Sequence, residues 1–272
     1  MSASARRRPD ALVAVFLLEA VAAWVLAAPW SETVARVFGA HPDGDRPLFV
    51  HPGGYLLLDL AQRLQGVLSA LFAATTIGLA VFALASLPVL GAWIAALDDP
   101  SLRLRDALSR GVSSFFRLLG VSLVVWFSIA VVVALLGVIP AWGLAARLDH
   151  WEPRRALFVA SLPLVVASAL SVLMLSAGEL ARAHVVRNDA SLLEGLTTAV
   201  ADRSRLLAFV AVAAPRWIAA VGLLGWAAAL TAKSNSLFAI FLVHQLAAFG
   251  RVALRGSVLA RALRLVRASG GT

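Results

Sequence analysis

The sequence predicts an all-α, polytopic membrane helix bundle of about six transmembrane helices. Three observations carry that prediction. Of the 272 residues, 61% are hydrophobic and only 14% are charged, whereas the surface of a soluble domain this size needs far more charge. The apolar residues fall into six runs of the length that crosses roughly 30 Å of hydrocarbon, about 20 residues each. There is no cysteine, which excludes a disulfide framework, thiol chemistry and the commonest zinc patterns.

The whole chain, 1–272, reads as a single integral membrane domain. The first run extends from Ala11 to Trp30. The others are Gly66–Leu97, Leu118–Leu148, Ala156–Ala183, Leu206–Ala232 and Leu237–Leu254. Several exceed the minimum, so tilt or kinking is expected, with Pro88, Pro140, Pro163 and Pro215 as kink points. Basic MSASARRRPD before an apolar run that ends in VLAAPW also has the order of a secretory signal. The length of the run, Glu19 inside it and Trp24 near its end favour a retained anchor.

Basic residues set the expected orientation. With a cytoplasmic N-terminus, sixteen fall on the inner side: Arg6, Arg7, Arg8, Arg103, Arg105, Arg110, Arg117, Arg182, Arg187, Arg203, Arg205, and five from Arg251 to Arg267. Seven fall on the outer side, from Arg36 to Lys233, and Arg216 lies within a span. This asymmetry predicts both termini in the cytoplasm. It also accounts for the net charge of +9 with no nucleic acid as partner.

The 31–64 segment is then an extracytoplasmic loop. It contains HPDGDRPLFVHPGGY, where His41, Asp43, Asp45 and His51 have suitable metal-ligand chemistry, but their spacing fits no closed site. HPDGD and HPGG read instead as turns leading to the Leu56–Leu64 segment.

The chain then says nearly the same thing twice. Asp106–Leu119 is DALSRGVSSFFRLL and Glu194–Leu207 is EGLTTAVADRSRLL. Leu108, Val112, Arg117, Leu118 and Leu119 match Leu196, Val200, Arg205, Leu206 and Leu207, and DDPSL faces NDASL upstream across a two-residue gap. At 100° per residue, Leu104, Leu108, Gly111, Val112, Phe115 and Leu119 share a face opposite Asp106, Ser109, Arg110, Ser113 and Arg117. In the second copy Leu192, Leu196, Ala199, Val200 and Leu207 oppose Glu194, Thr197, Thr198, Ala201 and Arg205. Ser191 and Glu194 form an S-x-x-E capping box at the start of that copy. Both read as amphipathic elbow helices at the cytoplasmic interface, each joining two spans. The 66–148 and 156–232 halves thus form a parallel two-span repeat.

ARAHVVRNDASLLEGLTTAV before a new span, together with HQLAAFGRVALRGSVLARAL near the end, resembles bacterial six-span proteins allied to the membrane domain fused to some glycerophosphoryl diester phosphodiesterases. The resemblance covers most of the chain. It implies an all-helical bundle in the bacterial inner membrane. It transfers no esterase chemistry and no functional residue, since this chain contains no soluble catalytic domain.

Ionisable groups within lipid are costly and are usually paired or face a cavity. Counted from the inner ends of their spans, Glu19 and Arg216 lie at matching depths of roughly 12 to 15 Å, which predicts an intramembrane ion pair. Glu179 is shallower and is the next partner for Arg216, while His244 and Gln245 lie toward the outer half of span six. A second reading starts span five near Pro215 and places Arg216 at the interface. The 257–268 segment, with Ser257, Arg261, Arg264 and Arg267 on one arc, reads as a basic amphipathic helix on an anionic leaflet. Arg103, Arg110, Arg117 and Arg205 are expected to join it in head-group contact.

No catalytic residue, metal site or cofactor is expected, and the chain does not read as an enzyme. Lipids with anionic head groups are the expected partners, together with a membrane protein or a second copy. Two functions follow: a membrane scaffold or accessory subunit gripping the leaflet through basic amphipathic segments, or a permease-like protein for a small solute or lipid. The lack of a clustered polar pathway favours the scaffold. A water-filled crevice reaching Arg216, or a lipid between the repeats, would favour the permease.

Overall fold

The computed structural model describes residues 9–38, 62, 64–148, 150–231 and 236–269. The described residues contain helices and no strand. In order they are α1 (Pro9–Phe38), α2 (Gln65–Asp98), α3 (Leu104–Ser113), α4 (Phe115–Val132), a π-helical turn (Val133–Val138), α5 (Ile139–Arg147), α6 (Pro153–Asn188), α7 (Leu192–Ala201), α8 (Arg203–Thr231) and α9 (Leu237–Ser269). Six helical segments are long and apolar enough to cross a membrane, with α4, the π turn and α5 forming one of them. The chain is a multi-pass membrane protein. Most of the 31–64 loop, including His41, Asp43, Asp45 and His51, lies outside the described residues.

Helices α2, α6 and α9 touch one another at the centre, while α1, the α4–α5 segment and α8 stand around them. The core occupies one end of this arrangement, the end that carries the short helices α3 and α7. Leu90–Leu97 of α2, Gly178–Val186 of α6 and Gly256–Ala260 of α9 are continuously buried there, and Ile94, Leu118, Phe209, Leu259 and Leu263 are among its largest fully buried side chains. Away from that end the helices are mostly exposed along their sides. Trp126, Phe127, Trp142, Ile218 and Phe238 present apolar surface outward, which suits a lipid solvent.

The elbows form where the sequence places them, and their packing follows from small residues. Ala107 and Gly111 of α3 are buried, as are Gly195 and Ala199 of α7. These are the same two positions in both copies. A Cβ at Gly111 would lie 2.1 Å from the Pro88 carbonyl oxygen and 2.7 Å from the Ala92 nitrogen, so only glycine lets α3 fold back on α2. A Cβ at Gly195 would meet the Ala181 carbonyl oxygen of α6 at 3.2 Å. Close backbone approach of this kind is the usual basis of helix association where lipid removes the hydrophobic drive. The Ser191–Glu194 capping box is present: the Ser191 hydroxyl accepts from the Glu194 amide at 3.2 Å, and the Glu194 carboxylate accepts from the Ser191 amide at 3.4 Å.

The apolar stripe Leu104, Leu108 and Val112 of α3 is exposed, while the smaller Ala107 and Gly111 are buried and take the contact with α2. One expectation is corrected. Span six does not stop near Leu254. The 257–268 segment continues α9 without a break, with Val258, Leu259, Ala262, Leu263 and Val266 in the core; its apolar arc packs against α2 and α6 instead of lying on a leaflet. Pro88, Pro163 and Pro215 lie inside continuous helices. Pro140 follows the π turn, where Ile139 donates to Ala134 five residues back, and this widened turn accommodates a ring that cannot donate and would crowd the preceding carbonyls.

Candidate functional site

Charged groups collect at two levels of the bundle. At the elbow end they close the structure. Glu179 and Arg182, one helical turn apart on α6, form a buried ion pair at 2.9 Å, and Arg182 also donates to the Ser122 hydroxyl of α4 at 3.2 Å. Oε2 of Glu179 and Nε of Arg182 are buried without a hydrogen-bond partner. Arg117 of α4 donates to the Asp189 carbonyl oxygen at 2.7 Å and also pairs with the Asp189 carboxylate. Asp189 has a φ of 54° and ends α6 in the left-handed conformation, so Arg117 satisfies carbonyl and carboxylate at a helix C-terminus.

Halfway along the helices the arrangement differs. Glu19 of α1 accepts from Arg251 of α9 at 2.7 Å, and Arg255, one turn further on α9, approaches its other oxygen at 4.0 Å. These three side chains line a groove of about 420 Å³ with Ala22, Leu26, Leu79 and Phe82. On the opposite flank of α9, Arg216 of α8 lines a cleft of about 690 Å³ with Ala219, Gly222, Leu223, Trp226, Gly250 and Leu254. Arg216 donates to the Val212 carbonyl oxygen of its own helix.

The expected Glu19–Arg216 pair is therefore replaced by other contacts. Arg251 and Arg255 lie on the α1 side of α9, whereas Gly250, Ala253, Leu254 and Ser257 lie on the α8 side, so α9 stands between the two charges. Depth counting placed Glu19 and Arg216 at one level but carried no information about which helix intervenes. Glu179, the alternative partner for Arg216, pairs with Arg182 instead. His244 lies within 3.3 Å of the Thr231 hydroxyl and links α9 to α8; Gln245 is half-buried on the same helix.

Of the arginines expected at head groups, Arg103 and Arg110 are exposed. Arg117 is engaged by Asp189, Arg205 pairs with Asp202 at 3.2 Å, and Arg267 pairs with Asp98 at 2.8 Å. Arg264 donates to the Ala260 carbonyl oxygen at 3.4 Å, and Arg261 is half-buried with its Nε unpartnered. The sequence reading missed Arg182, Arg251 and Arg255 because it counted them as cytoplasmic charges. The i, i+3 spacing of Glu179 and Arg182 and the i, i+4 spacing of Arg251 and Arg255 were the available signals.

Among the described residues no group of three or more His, Cys, Asp or Glu side chains is placed to hold a metal. Comparison with family models, curated proteins and solved structures gives no match.

Proposed function

We propose that this protein takes an anionic amphiphile from the surrounding bilayer into the cleft between α8 and α9 and acts as a permease-like carrier. The observation that carries this reading is Arg216: a guanidinium on the wall of an otherwise apolar cleft, with a carbonyl of its own helix as its hydrogen-bond partner. Among the described residues no carboxylate pairs with it, and an ionisable group within a span is by default a functional-site candidate. Apolar walls suit an acyl chain better than a hydrophilic solute. The packed core at the elbow end argues for lateral entry rather than a pore along the bundle axis.

The crevice reaches Arg216 but lies between α8 and α9, not between the two helix–elbow–helix units. The scaffold reading loses much of its support, since the apolar arc of the C-terminal segment packs in the core and Arg117, Arg205 and Arg267 are engaged by acidic residues of this chain. Sixteen inner against seven outer basic residues support a bacterial inner-membrane location with the elbows and both termini cytoplasmic. The matching positions of Ala107/Gly111 and Gly195/Ala199 support an internal duplication.

The test is extraction of lipid from protein purified in a neutral detergent, followed by mass spectrometry of the wild type and Arg216→Met. Methionine keeps the apolar bulk and removes the charge. An anionic amphiphile retained by the wild type and depleted in the variant supports the carrier reading, and equal retention overturns it. A reporter fused after Thr272 should be cytoplasmic; alkaline phosphatase activity outside would reverse the orientation.

A further inference from the structure

The groove on the other flank of α9 has a charge imbalance of its own. Glu19 supplies one carboxylate to two guanidiniums, and among the described residues no other carboxylate lies within ion-pair distance of Arg251 or Arg255. Arg251 makes the hydrogen bond, while Arg255 at 4.0 Å is beyond hydrogen-bond reach. Both side chains are half open to the groove, at 45% and 44% exposure. Arg255 and Glu19 also border an adjoining cavity of about 60 Å³ with Ser86 and Trp93.

The position is inside the bilayer. Glu19 lies about 15 Å beyond the start of α1 and Arg251 about 21 Å beyond the start of α9, at about 1.5 Å per residue. Phe82 and Ser86, which border the site, are near the middle of α2. A net positive charge held there without an anion is costly, and an anion that brings its own apolar chain can reach it sideways from the membrane.

We infer that Arg251 and Arg255 bind the phosphate of an anionic phospholipid in the groove between α1, α2 and α9, with an acyl chain along Ala22, Ala23, Leu26 and Leu79. Two guanidiniums one turn apart match the oxygens of a phosphate better than the single carboxylate of Glu19 does, since each can donate a forked pair of hydrogen bonds. Glu19 holds the arginines in place when the groove is empty and competes with the lipid when it is full. Contacts to either side of the groove hold α1 against α2 and α9: Trp30 donates to the Thr75 hydroxyl at 2.7 Å and packs edge-on against Phe72, and Phe16 packs edge-on against Phe249. The bound lipid fills the space between α1 and the rest of the bundle at this level. This site lies across α9 from Arg216 and does not depend on the carrier reading.

The experiment is a thermal-shift titration of the full chain in a neutral detergent with dihexanoyl phosphatidate, dihexanoyl phosphatidylcholine and inorganic phosphate as separate probes. Phosphatidate should raise the midpoint, and the zwitterionic lipid and free phosphate should not. The comparison is made in an Arg216→Met background, which removes the cation of the cleft between α8 and α9; there the added pair Arg251→Gln/Arg255→Gln should weaken phosphatidate binding about tenfold or more. Glu19→Gln removes the internal competitor and should bind about threefold more tightly or better, which decides the matter if the variant with the added pair does not fold. Unchanged binding on adding the pair, no gain in Glu19→Gln, or an equal shift with inorganic phosphate would each overturn the assignment of a lipid phosphate to this groove.

Discussion

Arg267, in the last turn of α9, grips Asp98 at the end of α2: Nε and Nη2 lie 3.0 and 2.8 Å from Oδ1, and Nη2 also donates to the Asp98 backbone carbonyl. Arg187 of α6 stands 3.8 Å from the same carboxylate. One aspartate thus gathers arginines from both other central helices, and the C-terminus of α2 receives the positive charge that its dipole favours. Asp189 plays the corresponding part at the end of α6, with Arg117 as its arginine. The two acidic positions belong to the matched segments DDPSL and NDASL.

The Asp98 cluster is partly exposed, so Arg267→Ala should cost only about 1 kcal/mol or less. Asp98→Ala should cost more, because it leaves Arg187 and Arg267 facing each other across the junction. Thermal midpoints in one detergent at two ionic strengths check this. Salt should reduce the difference between Arg267→Ala and the wild type, and a salt-independent difference would assign the effect to packing.

Gly111 and Val112 are neighbours with opposite expected responses. Gly111→Val drives a side chain into the backbone of α2 at Pro88 and Ala92, which no rotamer of a neighbour can relieve, so a loss of about 2 kcal/mol or more is expected. Val112 is 61% exposed, and Val112→Asp should leave the midpoint in detergent nearly unchanged. In bilayers the same substitution should weaken α3 if its exposed apolar face rests on acyl chains. Measuring each variant in detergent and in vesicles separates the two. A detergent-sensitive Val112→Asp would place this face in the core.

Acidic turns flank the elbows. The Asp202 carboxyl is held below the usual carboxylate range, chiefly by the Arg205 amide and then by the Ser204 hydroxyl. Asp99 is held low chiefly by the Ser101 hydroxyl and then its amide. A depressed folded-state pKa means that the folded protein prefers the ionised group. The stabilisation is present above the unfolded carboxylate pKa and is lost as pH falls through the lower folded value. The midpoint should therefore be flat from neutral pH to about 5 and decline below about 4. In Asp202→Asn this decline should be smaller, and an unchanged decline would locate the acid sensitivity in other carboxyls.

How much of this was legible depended on whether a feature is written along one helix or between helices. Periodicity and apolar length placed the spans and both elbows, since each is a property of one continuous segment. The Ser191 capping box was readable for the same reason. What escaped the reading was rotation and neighbourhood: that Ala107 and Gly111 seat α3 on α2, and that α9 separates Glu19 from Arg216. The basic arc after Ser257 reads as an interfacial pattern because a helix with one apolar face looks alike whether that face meets lipid or two other helices. Arg267 could be placed in the core assembly only once Asp98 was known to lie beside it.

The buried pair Glu179–Arg182 carries the strongest energetic expectation. Both residues are almost wholly enclosed, at 7% and 5% exposure, so neither charge has water to fall back on. Their bond spans one turn of α6, and Ser122 supplies the contact to α4. Because one carboxylate oxygen and one guanidinium nitrogen remain unpartnered, the pair does not recover all of its desolvation cost. Removing one member should be worse than keeping both: Glu179→Leu strands a cation in the core, Arg182→Met strands an anion, and each should cost about 3 to 5 kcal/mol. Removing both should be far milder, because Glu179→Leu/Arg182→Met replaces two imperfectly paired charges with apolar groups of similar volume. Ser122→Ala, which loses one contact of a charged donor that keeps its main partner, should cost about 1 to 2 kcal/mol. The double-mutant cycle on thermal or denaturant midpoints gives the answer as a coupling energy, and a double variant no more stable than the sum of its singles would show that the two charges act independently.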